Sequence, residues 1–322
     1  MNWFALIAFA FAAPSTWFGA GPSTSLGTSL PRPAGQTAPP LRAYSAAPDA
    51  VVRIWMPGGH LRVEGWSRDS VEVRANLAPG AGRLAAGGWR TALKIALDEV
   101  KDSAALSAAV IEVRVPRGAQ LTIQGGNVDV DVSGMTGTLD GSLRAGRLRA
   151  DGAFRSIRAD VLDGNIELVG ASADIDARTG AGRVLVRGVT GDLRASSVSG
   201  TLLVGGASLR RARLESVTGE ISVKGSVQHG GRLEVFSHSG DVELRLPPTL
   251  GADIDVTAPS GRFTSEFAVK GLPSLKTPLT ATLGDGGSSI IVRTFKGRVS
   301  LAQQPEPDPN LNPPTGISGK PK

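Results

Sequence analysis

The sequence predicts an all-β fold: a parallel β-solenoid, β-helix or β-roll-like, with coils of about 18–21 residues and an N-terminal antiparallel β cap. Three observations carry this. A short phrase recurs, as "TGAGRVLVRG" from Thr179, "SVSGTLLVGG" from Ser197, "SVTGEISVKG" from Ser216 and "SHSGDVELRL" from Ser237, at offsets of 18, 19 and 21 residues. Apolar residues alternate in pairs at i, i+2, the period of a strand with one buried face. Helical spacing is not sustained anywhere in 121–265, so stacked helical repeats are excluded.

The pairs form two series. One runs from Leu121/Ile123 through Ile157/Ala159, Ile175/Ala177, Leu193/Ala195, Leu214/Ser216, Leu233/Val235 and Ile254/Val256 to Ile290/Val292. The other runs from Val128/Val130 through Ile166/Leu168, Val184/Val186, Leu202/Val204, Ile221/Val223 and Val242/Leu244 to Val299/Leu301. The second follows the first by nine residues in most repeats and by seven in two. Strands recurring in one direction at one interval stack in parallel, coil on coil, at about 4.8 Å each, so nine coils make a rod of roughly 40 Å. Gly164, Gly182, Gly200, Gly219, Gly240 and Gly261 precede the second strand and are expected to supply a positive φ or a tight turn.

The ends differ from the middle. Trp3 to Ala13 is an apolar run too short to span a bilayer but suited to a signal peptide, with small residues in Ala10-Phe11-Ala12 that place cleavage before Ala13. The domain reading is therefore a signal peptide at 1–12 and a Pro/Ser/Thr-rich linker at 13–48. An N-terminal β cap follows at 49–120, then the solenoid at 121–302 and a Pro-rich tail at 303–322. In the cap, Pro-Gly-Gly and Ser-Arg-Asp split "VVRIWMPGGHLRVEGWSRDSVEVRANL", which reads as antiparallel hairpins over 51–116 with Trp55, Trp66 and Trp89 as core. The 36-residue interval before Ile290 is either one further coil or an excursion with its own hairpin, and Pro273 and Pro278 argue against regular central strands there.

Three phrases, "GGHLRVEGWSRDSVEVRA", "SVSG…SVTGEISVKG" and "GDGGSSIIVRTFKGRVSL", in that order, resemble the bacterial β-strand-repeat family labelled "putative adhesin". The resemblance covers about 51–302 and implies a cell-envelope β-solenoid with no assigned chemistry. It carries no catalytic residue over to this chain. Arginine stands at many places where that family often has aspartate.

Composition narrows the chemistry. The 322 residues contain no cysteine, which removes disulfides, thiol nucleophiles and thiolate metal sites. The 42 glycines fit a turn-rich β protein. Of the net charge of +6, Arg32 and Arg42 lie before residue 49, leaving about +4 on the folded part, a mixed surface with no polyanion field. No Gly-x-Ser-x-Gly, His-Glu-x-x-His or P-loop motif occurs. The histidines His60, His229 and His238 read as exposed turn residues. The pairs Asp129/Asp131, Asp174/Asp176 and Asp253/Asp255 read as the water-facing side of alternating strands, although paired carboxylates also suit Ca²⁺ or acid–base work. No cofactor, metal site or catalytic residue is assigned. Nucleic acid is not an expected partner, because no stacking platform follows Trp89.

Two arginine groups, Arg144, Arg147 and Arg149, and Arg210, Arg211 and Arg213, are the candidate residues for binding an anionic surface. The expected partners are anionic envelope polymers or another envelope protein, with no transmembrane segment and the oligomeric state open. The reading is thus an exported, non-enzymatic β-solenoid of the periplasm or cell surface, an adhesin or structural module of the envelope. The alternatives are a β-helix enzyme acting on polysaccharide and a self-assembling scaffold like the bactofilins.

Overall fold

The computed structural model describes residues 41–170, 174–267 and 278–304. The apolar N-terminal run, residues 13–40 of the linker and the tail from 305 onward lie outside the described residues. The chain enters through β1 (Arg42–Ser45), β2 (Val51–Trp66), β3 (Ser70–Asn76), β4 (Arg83–Trp89), β5 (Ala92–Asp98), the five-residue helix α1 (Ser103–Ser107) and β6 (Val110–Pro116). The body is built from β7 (Gln120–Met135), β8 (Thr138–Gly152), β9 (Ser156–Val169), β10 (Asp174–Ala181), β11 (Val184–Arg187), β12 (Thr190–Ser197), β13 (Leu202–Ser216), β14 (Ile221–Ser237) and β15 (Val242–Leu246). The far end holds β16 (Ala252–Thr257), β17 (Arg262–Ser265), β18 (Leu279–Leu283), β19 (Ser289–Thr294) and β20 (Arg298–Gln303).

Each coil has two straight sides, here A and B, joined by a corner, and a shorter third side. On side A, one inward rung runs Leu93, Val52, Leu121, Leu139, Ile157, Ile175, Leu193, Ala212, Leu233, Ile290, Ile254. On side B, its counterpart runs Ile111, Leu61, Val130, Leu148, Ile166, Val184, Leu202, Ile221, Val242, Val299, Phe263. Every residue of both rungs is buried. No coil of this size encloses a core alone; each buries its inward side chains against the next, and that stacking is the main source of stability.

The register differs from the sequence reading in two coils. Ala212, and not Leu214, stands opposite Leu193. Val130, and not Val128, stands opposite Leu148. A shift of two residues leaves inward side chains inward, so alternation alone does not detect it. With the observed register, the side-B rung follows the side-A rung by nine residues in every coil from Val52/Leu61 to Ile254/Phe263. In these coils the variation in repeat length falls on the third side, where β13 carries bulges against its neighbours; the terminal β5–β6 coil differs, with α1 inserted between Leu93 and Ile111.

The corner between A and B explains this constancy. In the phrase Ser197-Val198-Ser199-Gly200, the buried Ser197 Oγ accepts from the N–H of Gly200 at 2.7 Å. Ser237 makes the same turn with Gly240, and Thr294 with Gly297. The glycines then stack from coil to coil. A Cβ on Gly200 would collide with the carbonyl oxygen of Gly182, one on Gly219 with that of Gly200, and one on Gly240 with that of Gly219. Positive φ occurs at Gly164 and Gly182 but not at Gly200, Gly219, Gly240 or Gly261. For these four the requirement is space, not backbone handedness.

Both ends depart from sequence order. β2 was expected in an antiparallel cap, yet it pairs in parallel with β7 on one edge and with β5 and β6 on the other. It is therefore a coil of the rod, and its inward alternation is matched to theirs. The antiparallel expectation holds for β3 and β4, which cover β6 and β5. Residues 42–45, which the sequence reading left in the linker, are instead β1, paired antiparallel with β3. At the far end, β19 and β20 wedge between the β14–β15 coil and the β16–β17 coil, so the last coil in sequence is the penultimate one in space. The long interval before Ile290 contains β18, which runs antiparallel along β16. Trp55 and Trp66 are half-buried, but Trp89 is 80% exposed at the β4–β5 hairpin and is no part of the core.

Replacing Leu202 with Asp buries a charge with no partner in the side-B rung and is expected to cost more than about 4 kcal/mol, unfolding the neighbouring coils. Leu203, half-buried on the outer face, should tolerate Asp within about 1 kcal/mol. Chemical denaturation of the two variants checks this; equal sensitivity would contradict the register.

Candidate functional site

Outward residues also stack into columns, so each side of the rod is a ruled surface. Side A carries alternating charge. Asp192 accepts from both Arg210 (2.9 Å) and Arg211 (2.7 Å). Arg213 reaches Glu215 and Glu234, and Arg232 also reaches Glu234. Arg178 and Asp176 form a two-pronged pair, and Arg158 meets Asp160. This surface is largely self-neutralised.

The six arginines singled out from sequence do not form one patch. Arg210, Arg211 and Arg213 start side A and are engaged with acids. Arg144 lies at the A–B corner, and Arg147 and Arg149 open side B of β8. Arg149 approaches Glu167 at 3.6 Å. The Arg147 guanidinium makes no ion pair among the described residues, although the backbone N–H of Arg147 donates to Asp129. Sequence proximity could not separate paired from unpaired arginines, because, Glu215 beside Arg213 apart, the partner acids of this group come from neighbouring coils 18–21 residues away.

Beside the corner, side B bears a shallow trough of about 490 Å³ lined by Arg147, Asn165, Glu167, Arg183, Ser199 and Thr201 among others. Arg147, Asn165 and Arg183 occupy the same position in three successive coils. Asn165 Oδ1 accepts from the backbone N–H of Arg183 at 2.8 Å, and Asp129 Oδ1 likewise accepts from that of Arg147 at 3.0 Å. Arg183, like Arg147, is exposed, and neither guanidinium makes an ion pair among the described residues. Sequence reading missed Arg183; its only signal was its place nine positions after Asp174 in the repeat.

Along the corner, Val198 and Phe295, which follow the buried hydroxyls of Ser197 and Thr294, are exposed, Val198 at 56%, and so is Leu162 at the matching place after Val161. His238 and Phe295 stack with ring centroids 5.4 Å apart. His60 lies 3.7 Å from Asp129. The Asp-x-Asp pairs are spread over both sides: Asp129 caps a neighbouring strand, Asp176 holds Arg178, and Asp253 accepts from the Thr282 hydroxyl at 2.7 Å. Among the described residues no group of three or more His, Asp or Glu is placed to hold a metal ion.

A glycine-cornered, parallel-stacked rod with this repeat has a family match: the model of the Toastrack DUF4097 family covers residues 100–301. The chain belongs to the Toastrack DUF4097 family. Solved structures similar to this Toastrack chain include one described as a "putative cell adhesion protein" from Clostridium sporogenes (11% identity, 83% of this chain and 100% of that chain, TM-score 0.27). Another, a "putative adhesin" from Parabacteroides distasonis, has 12% identity over 82% of this chain and 96% of that chain, with TM-score 0.41. A "putative lipid binding protein" from the same species has 12% identity over 83% and 98%, with TM-score 0.39. No curated protein matches the chain.

Two carboxyls on side A of this Toastrack rod are shifted in opposite directions. Hydrogen bonds from Arg211 hold Asp192 below the ordinary range, against a smaller opposing effect of burial and with help from Arg210. Burial pushes Asp140 up, with Arg158 pulling it back and Asp160 adding to the rise. A depressed carboxyl stabilises the fold above its unfolded pKa, and that contribution is lost as pH falls through the folded value; a raised one has the opposite sign. Asp192→Asn should therefore lower the melting temperature at pH 7 by about 2 °C, with the deficit shrinking in acid. Asp140→Asn should raise it at pH 7, and the gain should vanish below about pH 4. Thermal melts at pH 7 and pH 3 check both; shifts of the same sign would contradict the assignment.

Proposed function

We propose that this Toastrack rod is an exported, non-enzymatic module of the bacterial cell envelope, adhesive or structural, whose partners are anionic envelope polymers or another envelope protein. The observation that carries this reading is the trough on side B, where the Arg147 and Arg183 side chains are exposed and neither guanidinium makes an ion pair among the described residues. The inside of the rod is filled by its side chains, so a ligand meets it along an outer face, as is usual for solenoids. Export rests on the apolar run Trp3–Ala13.

Within the arginine surface, Arg144 and Arg147 supply most of the available field and Arg149 shares its charge with Glu167. Arg210, Arg211 and Arg213 contribute less, because Asp192, Glu215 and Glu234 already take their hydrogen bonds. A scaffold growing end to end needs an open terminal coil. Here β18 lies antiparallel on β16 at one end, and β3 and β4 cover β6 and β5 at the other, which favours the single-rod reading.

The test is a pull-down of the protein on purified envelope fractions over a salt series. Binding should weaken steeply as the Debye length falls from about 10 Å at 0.1 M to about 3 Å at 1 M. Arg144→Ser with Arg147→Ser should reduce it more than Arg210→Ser with Arg211→Ser. Binding indifferent to salt and to all four changes would contradict the reading. Protein recovered from its native host should begin at or near Ala13; an intact Met1 on cytoplasmic protein would contradict export.

A further inference from the structure

We propose that the trough on side B binds an acidic polysaccharide carrying one carboxylate per disaccharide, laid along the rod axis with one sugar to each coil. The inference rests on the anionic-polymer reading above and names the chemistry of the polymer.

The column of residues that opens side B runs, coil by coil, His60, Asp129, Arg147, Asn165, Arg183, Thr201, Glu220. Adjacent positions are separated by about 4.8 Å, close to the advance of one sugar in an extended glycan. Arg147 and Arg183 are two coils, or about 9.6 Å, apart. Each guanidinium offers a planar fork that matches a carboxylate.

Between them stands a neutral donor. The Asn165 Oδ1 accepts from the Arg183 N–H, and Asn165 is exposed, so its carboxamide NH₂ can donate to a hydroxyl or ring oxygen. On the next coil in either direction the column is uncharged or acidic: Thr201 beyond Arg183, Asp129 before Arg147. Both suit a neutral sugar, since hydroxyls donate to a carboxylate. A chain with a carboxylate on every sugar would instead place charge against Asn165 and Thr201 and drive one onto Asp129, a like-charge contact that selects against it.

The remaining lining agrees. Glu167, the acid inside the trough, is turned to Arg149 at 3.6 Å and so does not oppose the row. Leu162 and Val198, exposed on the adjoining corner, offer apolar surface to the C–H faces of the sugars.

The experiment is calorimetric titration of the full chain at low salt with three probes: hyaluronan oligosaccharides, with carboxylate on alternate sugars; polygalacturonate oligosaccharides of equal carboxylate number; and phosphatidylglycerol vesicles. Hyaluronan oligosaccharides should bind about tenfold tighter than polygalacturonate, and Arg147→Ser or Arg183→Ser should each weaken them about tenfold. Arg187→Ser, an exposed arginine on the same coil as Arg183 but off the column, should change affinity by less than about twofold. Asn165→Arg should move the preference toward polygalacturonate. Equal affinity for the two glycans, tightest binding to the vesicles, or hyaluronan binding that survives the double change at Arg147 and Arg183 would overturn the inference while leaving an anion-binding rod. Failure to bind any of the three probes would overturn both the inference and the anionic-polymer reading.

Discussion

The structure depends on how closely successive coils approach at the corner between sides A and B. Along Gly164, Gly182, Gly200, Gly219, Gly240, Gly297 and Gly261, a Cβ would fall on the carbonyl oxygen of the coil beneath. Hydrogen-bonded stacking at about 4.8 Å per coil leaves backbone against backbone there, with no room for a side chain. The buried hydroxyls of Ser197, Ser237 and Thr294 complete the turn by taking the glycine N–H, so a polar group inside the rod is satisfied locally. Ser216 occupies the same place, yet its Oγ has no hydrogen-bond partner.

One consequence is a division of labour around the coil. With the corner fixed, sides A and B are locked nine residues apart from the β2 coil onward, and length changes there collect on the third side, at the bulges near Gly191, Gly205 and Leu209. Another concerns the ends. A coil is accepted wherever it presents the same corner and the same inward rungs, whatever its place in the chain. Gly297 meets Gly240, and Gly261 meets Gly297, so the final coil in sequence is admitted between two earlier ones. The coil of β2 sits between β5–β6 and β7 by matching their inward rungs, although Ala109 and Val128 stand at the corner position in its neighbours. Because outward columns follow from this stacking, the row Arg147, Asn165, Arg183 is a product of the corner as well.

Much of the fold was legible in the sequence because the inward pattern is local. The rung through Ile166, Val184, Leu202, Ile221 and Val242 follows from alternation and period alone. What alternation could not reveal was register in steps of two, as at Val130 and Ala212, nor a coil stacked out of chain order, since either keeps the same faces buried. The site was less legible. The free charge on Arg147 and the spent charge on Arg211 differ only through acids one coil away, and residues 18 or 19 positions apart become neighbours only once the register is known. Trp89 misled for a related reason: the local sequence marked a hairpin, but only the packing of β4 on β5 shows that its side chain leaves the core.

The central claim, that a shared corner lets coils stack out of chain order, is tested most directly by disulfide mapping in this cysteine-free chain. Ser300 stands between Glu243 and Thr264, facing outward on side B in three adjacent coils. Neighbouring parallel strands bring Cα atoms within the span a disulfide requires, about 4.4–6.8 Å, whereas two coils exceed it. Glu243→Cys with Ser300→Cys, and Thr264→Cys with Ser300→Cys, should each oxidise to a cross-linked chain, and Glu243→Cys with Thr264→Cys should not. Efficient cross-linking of the third pair, with failure of the first, would mean that the coils stack in sequence order and would contradict the account.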